Sequence, residues 1–262
     1  MATYKKRGYK PKKEKVVEEL VEDTFNEDES AVAEAFNTLD ETANKSEEWI
    51  EKNSKPLVYG LLGIIAAIII YLGYTKFVVE PNETEASNDL AYPRSLFDEA
   101  LNAAGQKADS LYTLSLKGGI DGKFGFIDIA DEYSGTKAGN LANYYAGISY
   151  LKKGDYTEAI DYLGRFESED VLLGPTALGA IGDAFADINQ LDQALEYYEQ
   201  AANKKENELT GPLFLFKAGQ TAMSLKKFSK AEQLFTAIKT TYPNAEQARD
   251  IEKFINSAKY AQ

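Results

Sequence analysis

The stretch Asn140-Leu141-Ala142-Asn143-Tyr144-Tyr145-Ala146-Gly147-Ile148-Ser149-Tyr150-Leu151-Lys152-Lys153-Gly154-Asp155-Tyr156-Thr157-Glu158-Ala159-Ile160-Asp161-Tyr162-Leu163 decides the fold, because the chain repeats its pattern twice more. Gly147 returns as Gly182 and Gly219, at intervals of 35 and 37 residues. Ala159 stands twelve residues after its glycine, and Ala194 and Ala231 keep that interval. Bulky residues at Tyr156, Leu191 and Phe228 precede the alanines by three, and Leu163, Tyr198 and Phe235 follow them by four. Tyr150 and Phe185 stand three residues after their glycines, with Ala222 in the third copy. Several independent columns held in one register mark an internal repeat. Its physics is that of paired antiparallel helices, whose axes approach to about 8 Å only where small side chains meet. The glycines of the first helices and the alanines of the second are expected to form those crossings, with the aromatic residues filling the space between pairs.

Working outward, turns fall at Lys153-Gly154-Asp155, Ile188-Asn189-Gln190 and Leu225-Lys226-Lys227. Asp155 and Glu158 have the spacing of a capping box. The repeats are expected at about 140–173, 175–208 and 212–245, the last stopped at Tyr242-Pro243. Phe126, Ile129 and Tyr133 copy the spacing of Phe235, Ile238 and Tyr242, so half a unit is expected at about 122–135. Helices over about 87–104 and 106–117 would cap one end of the stack and a helix over about 245–260 the other. The loop Lys117-Gly118-Gly119-Ile120-Asp121-Gly122 is glycine-rich but lacks the lysine–hydroxyl ending of a phosphate-binding loop.

Further out, Pro56 to Thr75 is a twenty-residue stretch without a charge. As a helix it would cover about 30 Å, the thickness of a bilayer's hydrocarbon layer. Trp49 and Tyr59 lie towards one end, Tyr71 and Tyr74 towards the other, where aromatic rings suit the headgroup region. A transmembrane helix is expected over 56–79, followed by a linker over 80–86 and a repeat domain over 87–262. The stretch is too long, and too far from the start of the chain, for a cleaved signal. Gly63 and Ala67, four apart, offer a face for packing on another membrane helix. Basic residues at Lys45, Lys52 and Lys55, and from Lys5 to Lys15, precede the span, whereas only Lys76 and Arg94 follow it closely. By the positive-inside rule the 1–55 leader is expected in the cytoplasm and the repeat domain outside it, in a bacterium the periplasm.

Within the leader, Val32, Phe36, Leu39, Ala43 and Ile50 recur at helical spacing, so residues 31–52 read as an amphipathic helix or as a marginal, mostly disordered segment. The basic cluster from Lys5 to Lys15 reads as a topology determinant or as an attraction to anionic lipid or RNA. The chain carries 29 basic and 42 acidic residues, net −13, with no histidine and no cysteine. That balance argues against a nucleic-acid binder. It also removes the commonest general base, the thiolate nucleophile and most transition-metal ligation. Asp128, Asp131 and Glu132 look like a solvated helix face. No catalytic arrangement, cofactor site, metal site or small-molecule substrate is expected.

The repeated residues resemble the tetratricopeptide repeat across 140–243. That resemblance implies an all-α fold, in which a single transmembrane helix is followed by a tetratricopeptide-repeat-like α-solenoid. Counted from Asn140, Pro175 and Pro212, the family's ligand-facing positions are Leu141, Tyr144, Ile148 and Leu151; Thr176, Gly179, Asp183 and Ala186; Leu213, Phe216, Gln220 and Met223. An apolar, aromatic groove with an acidic spot at Asp183 and Asp187 is implied, either open to a peptide or covered by the domain's own flanking helices. The lysine-and-asparagine clamp of repeats that hold chaperone C-termini is missing, since Tyr144 and Ile148 occupy its place.

The layout, through Lys45-Ser46-Glu47-Glu48-Trp49 into the anchor and on through the repeats, resembles the ancillary subunit family of the bacterial SecYEG translocon. That resemblance implies protein partners, namely SecYEG and a membrane-anchored periplasmic chaperone of the prolyl-isomerase class, near emerging chains. An adaptor at the secretion channel is the reading drawn from it. A scaffold for another envelope complex, in cell division or outer-membrane assembly, is the alternative.

Overall fold

The computed structural model describes residues 27–119 and 121–261. The basic cluster and the start of the acidic run in the leader lie outside these residues. The chain divides into two compact units, residues 1–69 and 70–262.

Helix α1 (Glu27–Tyr74), most of which lies in the first unit, runs without a break through the stretch expected as an amphipathic helix and on into the apolar span. Pro56 lies inside it and lacks the N–H that the carbonyl of Lys52 would have bonded. Side chains just before it turn back onto the helix: Asn53 Nδ2 donates to the Trp49 carbonyl at 2.7 Å and Ser54 Oγ to that of Glu51 at 2.9 Å. Among the described residues one helix is long and apolar enough to cross a membrane, with mean hydropathy 2.2 over its most apolar window and none of that window buried.

The second unit takes in the last residues of α1, then a π-helical turn, Thr75–Val79, and α2, Glu80–Leu101. The linker expected over 80–86 is therefore helix. Pro81 is the second residue of α2, directly after the π-helical turn. Ala86 is fully buried, and both carboxylate oxygens of Glu83 accept backbone N–H groups from Lys137 (2.8 Å) and Ala138 (3.1 Å). A segment that caps a neighbouring helix is fixed by the cap, whatever its own polarity.

The remaining elements are α3 (Gln106–Lys117), α4 (Phe126–Glu132), α5 (Lys137–Lys153), α6 (Tyr156–Arg165), α7 (Leu173–Asp187), α8 (Leu191–Lys204), α9 (Thr210–Ser224), α10 (Phe228–Thr241) and α11 (Ile251–Tyr260). The fold is all-α, with successive antiparallel pairs α5/α6, α7/α8 and α9/α10 stacked in the manner of tetratricopeptide repeats. The single helix expected over 245–260 is instead a 3-10 turn, Glu246–Ala248, and α11, separated by Asp250 in the left-handed region at φ 62°.

Ala159, Ala194 and Ala231 are completely buried, and Gly147, Gly182 and Gly219 are buried. The glycines, however, make room for a side chain other than the alanine. A Cβ on Gly147 would lie 2.4 Å from Leu163 Cγ, on Gly182 2.7 Å from the Tyr198 ring, and on Gly219 2.4 Å from the Phe235 ring. In all three repeats the glycine receives the bulky residue sixteen positions on. In the first two repeats the ring three residues after the glycine stacks on the second helix of its own repeat, Tyr150 on Tyr162 at 5.5 Å and Phe185 on Tyr197 at 5.3 Å. Phe126 and Ile129 are fully buried and Tyr133 nearly so, as are Phe235, Ile238 and Tyr242.

The turns share one geometry. Gly154, Asn189 and Lys226 all have positive φ, and the next residue's N–H reaches back to Tyr150, Phe185 and Ala222 at 2.8–3.0 Å. This is the Schellman closure of a helix C-terminus. Asp155 does not cap α6 by its side chain, which pairs with Lys153 at 3.0 Å instead, so the expected capping box does not form there. In the loop after α3, a Cβ on Gly118 would fall 2.1 Å from the Lys123 carbonyl; its glycines permit a close backbone crossing.

Candidate protein-binding site

The inner-face positions lie on the first helix of each pair, and their surroundings differ from repeat to repeat. On α5, Leu141, Tyr144, Ile148 and Leu151 are half-buried. The Tyr144 ring lies 5.2 Å from Phe166 and 5.7 Å from Tyr145, and burial pushes its phenol pKa up. Ile148 packs into the core clusters on both sides of it.

On α7, Gly179 leaves no cavity, because Phe214 of α9 sits where a Cβ would be. Asp183 is no free acidic spot. It accepts from Tyr198 OH at 2.6 Å and from Lys217 Nζ at 2.6 and 2.8 Å. Lys217 also lies over the Tyr198 and Phe214 rings. Burial first, then the bond to Asp183, raises the Tyr198 phenol far above its usual range. Asp187 remains exposed, and its charge raises the pKa of Tyr156.

On α9, Leu213 and Phe216 are half-buried and Gln220 is exposed. Phe254 of α11 meets Phe216 edge-on at 4.9 Å and packs on Phe235 at 5.4 Å. The C-terminal helix thus covers the aromatic part of the third repeat's inner face. Asp183 and Lys217 are brought together, as are Phe216 and Phe254, whereas Asp187 and Gln220 stay apart and open to solvent.

Two features escaped the sequence reading. The first is a set of ion pairs one repeat apart: Glu169 with Lys205 (2.7 Å), Asp183 with Lys217 and Asp192 with Lys227 (both 2.6 Å). Their separations of 34 to 36 residues match the repeat, which was the available signal. The two exposed pairs contribute about 0–1 kcal/mol each, so they set register more than strength. The second is an exposed apolar edge. Leu172 and Leu209, each immediately before the first helix of its repeat, are 42% and 64% exposed, and Val171 is 52% exposed. Asn207 Nδ2 donates to the Val171 carbonyl at 3.0 Å, which sets the two loops side by side. Leu172 and Leu209 are 37 residues apart, the interval from Gly182 to Gly219.

A polar cleft near the start of α5 is lined by Asp131, Lys137, Asn140, Arg165 and Glu167. Arg165 is paired with Asp161 and Asp131, and Asn140 spends both ends of its amide on the Glu167 backbone. Among the described residues no three carboxylates, histidines or cysteines cluster as metal ligands.

The family model of the tetratricopeptide repeat matches residues 144–208 and 180–246, two windows that start one repeat apart. No curated protein matches the chain. Residues 144–246 therefore carry tetratricopeptide repeats, a fold class whose partners are in general other proteins.

Proposed function

We propose that the chain is a membrane-anchored adaptor, an accessory subunit of the Sec translocon that links SecYEG to periplasmic chaperones or emerging chains. Its supporting observation is the pairing, on one chain, of tetratricopeptide repeats with a helix apolar enough to span a bilayer. Such repeats stack into extended surfaces made for contact. The excess of basic residues before the span supports a cytoplasmic N-terminus and a periplasmic repeat domain in a bacterial inner membrane. We assign the partner contacts to the exposed edge at Val171, Leu172 and Leu209 and to the inner-face residues still reachable, Tyr144, Leu151, Leu213, Asp187 and Gln220. No catalytic step is assigned to it.

Photocrosslinking amino acids at Ile65, Tyr144 and Leu209, activated in living cells, test this reading. Capture of channel subunits from Ile65, and of exported chains or a membrane-anchored chaperone from the other two, is the expected result. Exclusive capture of cell-division or outer-membrane assembly proteins overturns the translocon assignment and leaves a scaffold of another envelope complex.

A further inference from the structure

Because α1 is one unbroken helix, a hydrophobic phase set before the membrane continues inside it. In the stretch before the apolar span Val32, Phe36, Leu39, Ala43 and Ile50 follow each other at alternating steps of four and three, with Ser46 completing the series. The same count continues through Asn53 to Leu57, Gly60, Ile64 and Ala67. These are the a and d positions of five heptads. No charge falls on them, although Glu34, Asp40, Lys45, Glu48 and Lys52 are interspersed among them. Among the described residues nothing covers the later part of this seam: Ile50, Leu57 and Ile64 are 53%, 43% and 60% exposed, and a Cβ on Gly60 would meet nothing within 4 Å.

The period names the kind of occupant. On a straight helix a seven-residue repeat drifts by about 20° per heptad, or about 100° over five. A flat protein surface loses such a seam after two or three turns, whereas a second helix winding with it keeps contact throughout. We propose that α1 pairs in parallel with α1 of a second copy of this chain. Every copy inserts by the same topology rule, so two copies are parallel and in register without further specification. In that register the flanking g and e positions oppose Ala35 to Asp40, Thr42 to Glu47 and Trp49 to Ser54, and no like charges meet. Each of the two Asn53 amides spends one N–H on its own Trp49 carbonyl and keeps a second N–H and its oxygen for the other copy. Gly60 and Ala67 let the backbones close up inside the bilayer, where close packing takes over from the hydrophobic effect.

The absence of native cysteine makes the test clean. Single variants Ser46→Cys and Asn53→Cys lie on the seam, and Glu48→Cys and Lys55→Cys on the opposite face. Oxidation of native membranes with copper phenanthroline is expected to convert the seam variants to a dimer of twice the chain mass, several-fold more than the other two. Equal yields on both faces, no dimer on the seam, or adducts only with a different protein overturn the pairing. As a second measurement, energy transfer between differently labelled copies of the unmodified full chain, reconstituted at high dilution in lipid vesicles, must exceed that of a monomeric membrane control. That assay contains no translocon, so its failure leaves the adaptor reading untouched.

Discussion

Gly147, Gly182 and Gly219 are held to glycine by what stands opposite them. Their φ angles are ordinary helical ones, so the constraint is space rather than backbone freedom. At Gly182 the Tyr198 ring is itself held, because its hydroxyl is bonded to Asp183. A flexible neighbour would swing away from an added methyl, but this one is tied. Gly182→Ala is therefore expected to cost about 1–3 kcal/mol by overpacking, read as a lowered thermal midpoint of the full chain in detergent. An unchanged midpoint shows that the second repeat repacks without strain. The need for a small residue at this column was legible from its recurrence. Its opposite number was not, because the offset between two antiparallel helices depends on the turn joining them. Ala159, Ala194 and Ala231 were the natural guess, and they are buried; the glycines nevertheless receive Leu163, Tyr198 and Phe235, one turn further on.

Element ends are where the structure departs most from local expectation. Bonds at helix ends reach across the fold: Glu83 of α2 caps α5, and the side chain of Tyr133, at the end of α4, donates to Asp89 of α2 at 2.7 Å. Local patterning has no means of announcing bonds across 44 to 55 residues of chain, which is why 80–86 reads as a linker and folds as helix. The Tyr133–Asp89 bond also gives a pH signature. Hydrogen bonding to Asp89, then burial, pushes the Tyr133 phenol up to about 12. A pKa raised in the folded state stabilises the fold fully below the unfolded value near 10 and loses that contribution as pH climbs from there to about 12. Tyr133→Phe is expected to cost about 1 kcal/mol at pH 8 and to flatten the fall in stability between pH 10 and 12. Urea titrations of both chains across that range check it; parallel curves would show that the bond contributes nothing.

At the scale of the whole repeat domain, each helix pair touches mainly its neighbours, so damage at one end should stay there. Phe254→Ala removes the ring that α11 lays on Phe216 and Phe235. Amide exchange measured by mass spectrometry is expected to quicken in α9, α10 and α11 while α4 and α5 keep their protection. A uniform loss along the domain would mean that the stack unfolds as a single unit. Sequence alone determined the helical class, the recurrence of the repeats and the apolar stretch long enough to cross a membrane, because each is a matter of periodicity or length along one chain. Only the tertiary structure decided that Lys217 neutralises Asp183, that Phe254 covers Phe216 and that Leu172 and Leu209 share an open edge. Those outcomes depend on which side chains from different helices occupy the same space, and a one-dimensional pattern does not specify how far one helix slides against the next.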